Sequence, residues 1–491
     1  MVFNSFSFLV FFPVVLVLYY IIPQKLKNTW LLLSSYYFYS CWNIKYCLLL
    51  LVCTLVTYFA GLFLDTEKKE AALRKTAFWI ALLFILGLLG GYKYTNFIIE
   101  NLNKVLRLFV IGHELHRFDI VLPVGISFFT FQAAGYLIDV YKGKISAEKN
   151  PINYALFVSF FPQLLSGPIG RADKLLPQYR QVKEFRYENV VSGFVLMVWG
   201  FFLKLVIADR AAILVNTVYG DFRSYSGLAI VFATMIYGVQ IYCDFYGYSS
   251  MATGAAEMLG IQLSINFDTP YLSTSIKEFW RRWHISLSSW LRDYVYFPLG
   301  GSRCSVQRRY LNVLVTFFVS GIWHGSKWSF IAWGLLHGLY QVVGDLLKPI
   351  REKLCSSLQI RTDTAAFKAF KVLVTFGLAD FAWLFFRADS FKTGLKMCKR
   401  ILLEFHPFSL VGDAIYKLGL DQKNLQLLVV CILVLFVTDV LTYRGVDLRK
   451  WFLRQNWLFR EIALVSVILF IILVGAWGNS YNASSFIYFQ F

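Results

Sequence analysis

Charged side chains are scarce in this sequence. Only 16% of its 491 residues are Asp, Glu, Lys or Arg, whereas 58% are hydrophobic. A soluble chain of this length could not bury so much apolar surface, because folding always leaves a substantial part of a chain in contact with solvent. The composition therefore excludes a soluble globular protein and indicates a membrane protein.

Several common signatures are absent as well. The sequence has no P-loop, G-x-G-x-x-G, G-x-S-x-G or H-E-x-x-H motif, and no segment of it reads as a separate soluble domain. Its eight cysteines show no C-x-x-C spacing, so we expect free thiols rather than disulfides or a metal site. Any chemistry is therefore expected within the membrane helices.

Acidic residues are outnumbered by basic ones, 29 to 48, which gives a net charge of +19. In a soluble domain this excess would suggest nucleic acid, but here the cations fall between apolar runs. That distribution is typical of the positive-inside rule, by which basic residues collect in cytoplasmic loops. We therefore predict a lipid bilayer, and no nucleic acid, as the surroundings of this chain.

Apolar runs recur from one end of the sequence to the other. One crossing takes about 20 apolar residues, so we predict an all-α polytopic membrane protein with roughly 10–13 transmembrane helices. The runs are apolar on both faces, which argues against the alternating strands of a barrel. We expect a single membrane domain over residues 1–491, with a core at 121–345 that carries the motifs.

The stretch from 151 to 170 is expected to be a broken or re-entrant helix. It contains Pro162, Gly167, Pro168 and Gly170, which cannot all lie in one uninterrupted helix. Broken backbone at membrane depth is tolerated only where protein or water surrounds it. We predict a surface-lying amphipathic segment over 171–188 and then a span from about 190 to 207 that ends at Asp209 and Arg210.

The run LNVLVTFFVSGIWHG contains one ionisable side chain, His324. Such residues at membrane depth are costly and mark functional sites by default. Burial disfavours the charged form, so we expect a neutral ring that accepts a proton near pH 7. Gly321 and Gly325 would leave space beside the ring, and Trp323 and Trp328 would wall it. Helix packing remains the alternative, because the two glycines form a small-xxx-small pair.

Residues 275–303 mix basic and aromatic side chains. On a helix with 3.6 residues per turn one face is shared by Lys277, Arg281, His284 and Ser288. We therefore predict one amphipathic, basic helix at a membrane surface, which PLGG ends. Its arginines, Arg281 and Arg282 with Arg292 further on, suit phosphate groups; a phospholipid anchor is the alternative. His284 could then meet His324.

Four further positions carry weaker signals. Asp244 lies in the apolar run 228–248 and is either a functional acid or the partner of a buried cation. His337, between Gly334 and Gly338, is interpreted as a polar tether at a packed helix. His113 and His116 could face a metal, but they lack a third ligand, so we favour a solvated loop and predict no metal site.

The motifs EFWRRWHISLSSWLRDYVYFPLGG (278–301) and GIWHG (321–325) closely resemble those of the membrane-bound O-acyltransferase (MBOAT) family. The closest likeness is to its bacterial branch of alginate and peptidoglycan O-acetylation proteins. Supporting pieces are SGPIGR (166–171), VIADR (206–210), YCDFYGYSSMA (242–252), INFDTPY (265–271) and FIYFQF (486–491). The resemblance spans nearly the whole chain.

That resemblance implies acyl transfer to a hydroxyl, with His324 as the catalytic base and His284 as the second histidine. It implies acetyl coenzyme A as the donor substrate, no cofactor, an extracytoplasmic polysaccharide as acceptor, and a separate Ser-dependent extracytoplasmic acetyltransferase as partner. The expected location is the bacterial cytoplasmic (inner) membrane. The candidate substrate-binding residues are Arg281, Arg282, Trp283, Arg292, Asp244 and Trp323.

Other readings stay open at this point. A D-alanyl transferase of teichoic acid assembly resembles the same branch, although its pattern is less like PLGGSR. A transporter or flippase would also have many spans and buried polar groups, and a scaffold for an acetylation complex would need neither histidine. The polymer, whether alginate, peptidoglycan, cellulose or another glycan, is not specified by any motif.

Overall fold

The structure is a computed structural model that describes residues 1–66, 70–109 and 114–476. The terminal motif FIYFQF (486–491) and His113 lie outside the described residues. Within them the chain is helical, with no strand. The residues group into two compact units. The first consists of Met1–Met197 and Ser249–Ser264, and the second consists of Val198–Tyr248 and the described part of Ile265–Asn482.

The first unit is built from the amino-terminal helices and also includes the carboxyl end of α11. Its helices are α1 (Phe6–Ile21), α2 (Lys27–Ser40), α3 (Ile44–Leu64), α4 (Ala71–Leu108), α5 (Ile126–Tyr141), α6 (Pro151–Ser159), α7 (Phe161–Leu164), α8 (Ala172–Arg180) and most of α9 (Tyr187–Phe201).

The second unit contains the remaining helices. They are α10 (Asp209–Gly220), most of α11 (Gly227–Met258), α12 (Ile276–Arg282), α13 (Ile285–Leu291), α14 (Val306–His324), α15 (Trp328–Leu346), α16 (Lys348–Ser357), α17 (Ala365–Arg387), α18 (Phe391–Leu403), α19 (Gln422–Tyr443), α20 (Leu448–Leu453) and α21 (Trp457–Val474). Two π-helical stretches lie in it, at Phe202–Ala208 and Arg292–Tyr296.

Seven helices of the described residues are long and apolar enough to cross a bilayer, or eight if α15 and α16, bent by 49°, form one span. The predicted all-α polytopic class is confirmed, and the protein is a multi-pass membrane protein. The predicted number of transmembrane helices, roughly 10–13, is larger because it also counted apolar runs that form shorter helices. Two of these are α1 and α5, with 16 residues each.

The broken segment predicted at 151–170 is confirmed in the first unit. Helix α6 ends at Ser159, the four-residue α7 follows, and Gly167 to Gly170 are non-helical. The backbone of this break is buried from Phe160 to Gly170. Side chains from neighbouring helices satisfy it: Ser35 accepts a hydrogen bond from the Phe161 N–H, and Gln132 donates to the Phe157 carbonyl.

The predicted end of the next span at Asp209 and Arg210 is wrong. Tyr187–Gly220 is one helical run of 34 residues, with the π-helical stretch in its middle. Arg210 donates to the Val206 carbonyl of its own helix at 2.6 Å and also to Asn424 and the Val474 carbonyl, so this buried cation is satisfied while the helix continues past it. A charge that finds a partner on its own helix does not mark the end of that helix.

Candidate functional site

His324 is the last residue of α14 and lies in the interior of the second unit, 3% exposed. Aromatic rings surround it: its ring centroid lies 4.9 Å from Trp323, 4.8 Å from Trp333 and 5.3 Å from Phe386. The expectation that Trp328 forms a wall is wrong, because this residue is 52% exposed. Trp333, one turn further along α15, takes that place.

The glycines beside His324 serve packing rather than leaving open space. A Cβ added at Gly321 would lie 2.6 Å from the Phe330 carbonyl oxygen, and one at Gly325 would overlap the Phe330 ring. One added at Gly334 would overlap the carbonyl oxygen of Phe317 on α14. These small residues let α14 and α15 approach closely, so the packing alternative describes the glycines correctly.

His284 lies at a break between two short helices, which corrects the prediction of one continuous helix over 275–303. Helix α12 ends at Arg282, and His284 adopts a left-handed backbone with φ of 43° before α13 begins. Lys277, Arg281, His284 and Ser288 therefore do not share one helix face. A non-glycine residue in this region costs about 1–3 kcal/mol and is found where surrounding contacts enforce it, often at functional sites.

Asn266 provides those contacts. Its carbonyl accepts from the Ile285 N–H at 2.9 Å, and its side-chain oxygen accepts from the Ser286 hydroxyl at 2.6 Å. The Ser286 N–H also points to this oxygen, at 3.4 Å, which identifies the atom as the amide oxygen because an N–H can only donate. The turn that carries His284 is thus held by one asparagine.

The same amide oxygen lies 3.4 Å from His284 Nδ1. Since the oxygen can only accept, Nδ1 carries the proton in this contact and Nε2 keeps the lone pair. His284 is 0% exposed and lies outside the helices that qualify as membrane spans. Its burial lowers the pKa of His284 to about 3, so the ring is neutral at physiological pH.

The structure brings the two predicted catalytic histidines together. The ring centroids of His284 and His324 are 6.4 Å apart, with an interplanar angle of 60°. Trp323 lies beside both, 5.8 Å from His284, and Phe245 meets His284 edge-on at 4.6 Å. Two imidazoles within one aromatic enclosure form a site that can accept and return a proton away from bulk water.

The three arginines predicted to bind phosphate lie in different surroundings. Arg282 is bound by carboxylates of its own segment, at 3.1 Å from Glu278 and 3.1 Å from Asp268. Burial alone would raise the pKa of Glu278, but hydrogen bonds from Thr274 and the pairing with Arg282 outweigh it and hold the pKa below its usual value. The Arg282 guanidinium is therefore already engaged.

The other two arginines lie nearer to solvent. Arg292 is more than half exposed and pairs with Asp293 at 2.8 Å, whereas Arg281 is exposed and makes no ion pair with any described residue. Trp283, in contrast, is 1% exposed and stacks on Phe279 at 5.4 Å. Of the candidate substrate-binding residues, Trp323 makes ring contacts with both histidines.

Asp244 has a buried cation as its partner, as one of the two sequence readings expected. Its carboxylate lies 2.6 Å from the Lys204 ammonium, which is also 2.8 Å from Asp209. All three side chains are at most 7% exposed. Gly247 permits the contact, because a Cβ there would lie 2.8 Å from the Gly200 carbonyl oxygen of the facing segment. We call these three residues the ion cluster.

Two further histidines, His337 and His116, lie in different surroundings. His337 is 0% exposed and is enclosed by rings, with Trp280 at 5.1 Å and Trp333 at 5.2 Å. Its nitrogens have no hydrogen-bond partner in the described part of the chain, so the expected polar tether is wrong. His116 lies in an exposed loop. No group of three potential metal ligands occurs among the described residues.

Comparison with known proteins defines the class. The model of the MBOAT, membrane-bound O-acyltransferase family, matches residues 144–379, which include both histidines of the site. Together with the similarity of curated relatives over most of the chain, this match shows that the protein belongs to the MBOAT family and is an O-acyltransferase.

Three relatives indicate the range of activities in this part of the family. The chain is 37% identical to the probable alginate O-acetylase AlgI of Pseudomonas aeruginosa, over 81% of this chain and 74% of that protein. It is 35% identical to the peptidoglycan O-acetyltransferase of Helicobacter pylori, over 79% and 77%. It is 28% identical to the teichoic acid D-alanyltransferase of Streptococcus thermophilus, over 62% and 82%.

Sequence reasoning missed several residues that shape the site. Asn266 lies in INFDTPY, a motif that drew attention without a role for its asparagine. Lys204 and Asp380 are single charges in apolar runs, which alone marks a residue for examination. Trp333 and Phe386 carried no such signal, because aromatic residues are common throughout this chain.

Proposed function

We propose that this protein transfers an acetyl group from acetyl coenzyme A, supplied on the cytosolic side, toward hydroxyl groups of an extracytoplasmic polysaccharide. The observation that carries the proposal is the 6.4 Å separation of the His284 and His324 ring centroids inside an aromatic enclosure. Similarity to an alginate O-acetylase and a peptidoglycan O-acetyltransferase supports acetyl as the group transferred.

In the proposed reaction His324 is the general base. It accepts the proton of the acceptor hydroxyl while that oxygen attacks the carbonyl carbon of the thioester. The carbon–sulfur bond then breaks, and the imidazolium returns the proton to the departing thiolate. Positioned proton transfer of this kind contributes about 10²–10⁴-fold to a rate. Exclusion of water by the surrounding rings limits hydrolysis of the thioester.

His284 positions the reacting groups. Its Nδ1 proton faces Asn266, so Nε2 is the ring nitrogen that carries the lone pair and can accept a hydrogen bond. The exposed Arg281 guanidinium supplies a charge for the phosphates of the donor, since arginine binds phosphate in a bidentate manner. No cofactor is needed, because the thioester is itself the activated form of the acyl group.

We further propose the bacterial cytoplasmic membrane as the location and a separate Ser-dependent extracytoplasmic acetyltransferase as the partner that carries acetyl groups on to the long polymer, whereas short soluble fragments accept acetyl directly at His324. D-alanyl transfer to teichoic acid is the competing activity, because a D-alanyltransferase is among the relatives. Its lower identity, 28% against 35–37% for the acetylation proteins, favours acetyl.

The test uses the purified full chain in liposomes, with radiolabelled acetyl coenzyme A and, as acceptors, alginate oligosaccharides or soluble peptidoglycan fragments. We expect labelled product from the wild type and at least about a 100-fold lower rate from His324→Gln. His337→Gln is the matched control, since it removes another buried imidazole that contacts Trp333. It should keep its rate within about threefold, below the contribution of a general base.

Equal losses in His324→Gln and His337→Gln would contradict the assignment of the base. Size-exclusion profiles of both variants show whether either loss reflects folding. If label were transferred from a D-alanyl donor but not from acetyl coenzyme A, D-alanyl rather than acetyl would be the group that this protein transfers.

A further inference from the structure

Asp380 is a buried carboxylate that the mechanism above does not use. It lies on α17, in the second unit, and is 8% exposed. Its Oδ1 has no hydrogen-bond partner, and the side chain makes no ion pair with any residue of 1–66, 70–109 or 114–476. Burying an ionisable group without partners is costly, so such a group calls for an explanation by function or by a ligand.

The hydroxyl group of Tyr271, which lies near Asp380, is already engaged elsewhere. Oδ1 of Asp380 and the hydroxyl oxygen of Tyr271 lie 3.0 and 3.4 Å from the point where a Cβ at Gly238 would be. Tyr271, however, donates its proton to the Gly238 carbonyl at 2.6 Å. Because a phenol has one proton, Tyr271 cannot also donate to the carboxylate.

The nearest cation on the same helix is engaged as well. Arg387, two turns along α17, donates to Asn216 at 2.7 Å and has Asp389 at 3.9 Å. Its guanidinium also lies over the Tyr219 ring, 5.3 Å from the centroid. Asp380 is thus left with acceptor capacity that no side chain of the described residues uses.

Aromatic contacts connect this carboxylate to the histidine pair. Trp383, three residues after Asp380, has its Cδ1 3.7 Å from the same point beside Gly238. Its ring stacks on Trp333 at 5.6 Å, and Trp333 touches His324 at 4.8 Å. A single ring therefore separates Trp383 from the proposed base, so Asp380 lies on the helix segment that packs against the aromatic enclosure of the histidine pair.

We propose that Asp380 binds a hydroxyl group of the acceptor, next to the hydroxyl that reacts at His324. This inference rests on the proposed function. A sugar unit carries several hydroxyls, and a buried carboxylate accepts strong hydrogen bonds from them. The anionic phosphates of the donor would be repelled by it, so the charge favours the acceptor.

The test measures initial rates in the same liposome assay, with acceptor varied at saturating acetyl coenzyme A and the reverse. We expect Asp380→Ala to raise the KM for the oligosaccharide by about 10- to 100-fold, the range for a hydrogen bond to a charged group. The KM for acetyl coenzyme A should stay within about twofold. Asp380→Asn, whose amide oxygen can still accept, should have a smaller effect.

Two glycine-to-alanine variants test the role of Asp380 in acceptor binding without removing its carboxylate. Gly238→Ala places a methyl group 3.0 Å from Asp380 Oδ1 and should raise the acceptor KM, whereas Gly377→Ala on α17 meets nothing within 4 Å and should not. These variants keep the inference testable if Asp380→Ala does not fold.

Three results would overturn the inference. One is an unchanged acceptor KM in both Asp380→Asn and Gly238→Ala, which would leave the carboxylate as a ligand of ordered water. Another is a rise in the KM for acetyl coenzyme A instead. The third is a wild type that acetylates neither probe, which refutes the proposed function and with it this role of Asp380; the first two leave the proposed function intact.

Discussion

The second unit contains two buried polar groups that are stabilised in opposite ways. In the ion cluster, the Lys204 ammonium lies within 2.8 Å of carboxylates from both Asp209 and Asp244. In the histidine pair, His284 and His324 are surrounded by rings, and one amide oxygen lies beside His284. The ion cluster neutralises its charges internally and joins two helical runs. The histidine pair contains ring nitrogens that can accept a proton, as a reaction site requires.

The comparison predicts that the ion cluster acts mainly on stability. We expect Lys204→Met to cost about 3–5 kcal/mol, because it leaves two buried carboxylates without their cation. The measurement is the thermal unfolding of the purified protein in detergent, together with the fraction that elutes as a monodisperse peak.

Lys277→Met is the matched control for this variant. Lys277 forms an equally short contact, 2.6 Å from Asp345, but it is 49% exposed. Surface pairs contribute about 0–1 kcal/mol, so this variant should unfold close to the wild type. If both variants unfolded at the same temperature, the ion cluster would lose its structural role and Asp244 would become a stronger candidate for substrate binding.

Substitutions around the histidine pair should lower the turnover number kcat. Asn266→Ala removes the oxygen that holds His284 and its turn, and we expect kcat to fall by about 10- to 100-fold, which corresponds to the 1–3 kcal/mol of one unsatisfied buried group. Asn266→Asp keeps the acceptor oxygen and should recover part of the rate.

Asn312→Ala gives the comparison for that result. Asn312 is also buried, at 1% exposed, and donates to the Gly301 carbonyl at 3.1 Å, away from the histidines. Asn312→Ala should lower the free energy of unfolding about as much as Asn266→Ala does, and its kcat should stay within about threefold of the wild-type value. A turnover loss as large as that of Asn266→Ala would mean that general destabilisation, not the position of His284, explains both.

The smallest expected effect is on the pH dependence of folding stability. The folded-state pKa of His284 is about 3, below the ordinary value of 6.5, so the unfolded chain binds the extra proton between these values. Stability is therefore retained above pH 6.5 and falls as the pH drops, by at most about 1.4 kcal/mol per unit for this one group. Unfolding of His284→Gln between pH 7 and 5 should depend less steeply on pH than unfolding of the wild type; an identical slope would show that folding does not lower the pKa of His284.

Local features were predictable from sequence to the extent that they depend on neighbouring residues. Pro162 and Gly167 predicted a break in the helix, since neither suits an uninterrupted one, and the break is present. The continuous helix over 275–303 was wrong because its periodicity is compatible with a helix throughout. The left-handed turn at His284 depends on Asn266, a residue from an earlier segment.

Amino-acid sequence alone determined that this is a polytopic helical membrane protein and identified two histidines by their motifs. Apolar run length and the cost of a buried imidazole are local properties, so no knowledge of packing was required. The 6.4 Å approach of the two rings, the pairing of Lys204 with Asp244 and the isolation of Asp380 were decided by tertiary structure. Each of these depends on which helices meet, and close packing brings together residues that are far apart in the chain.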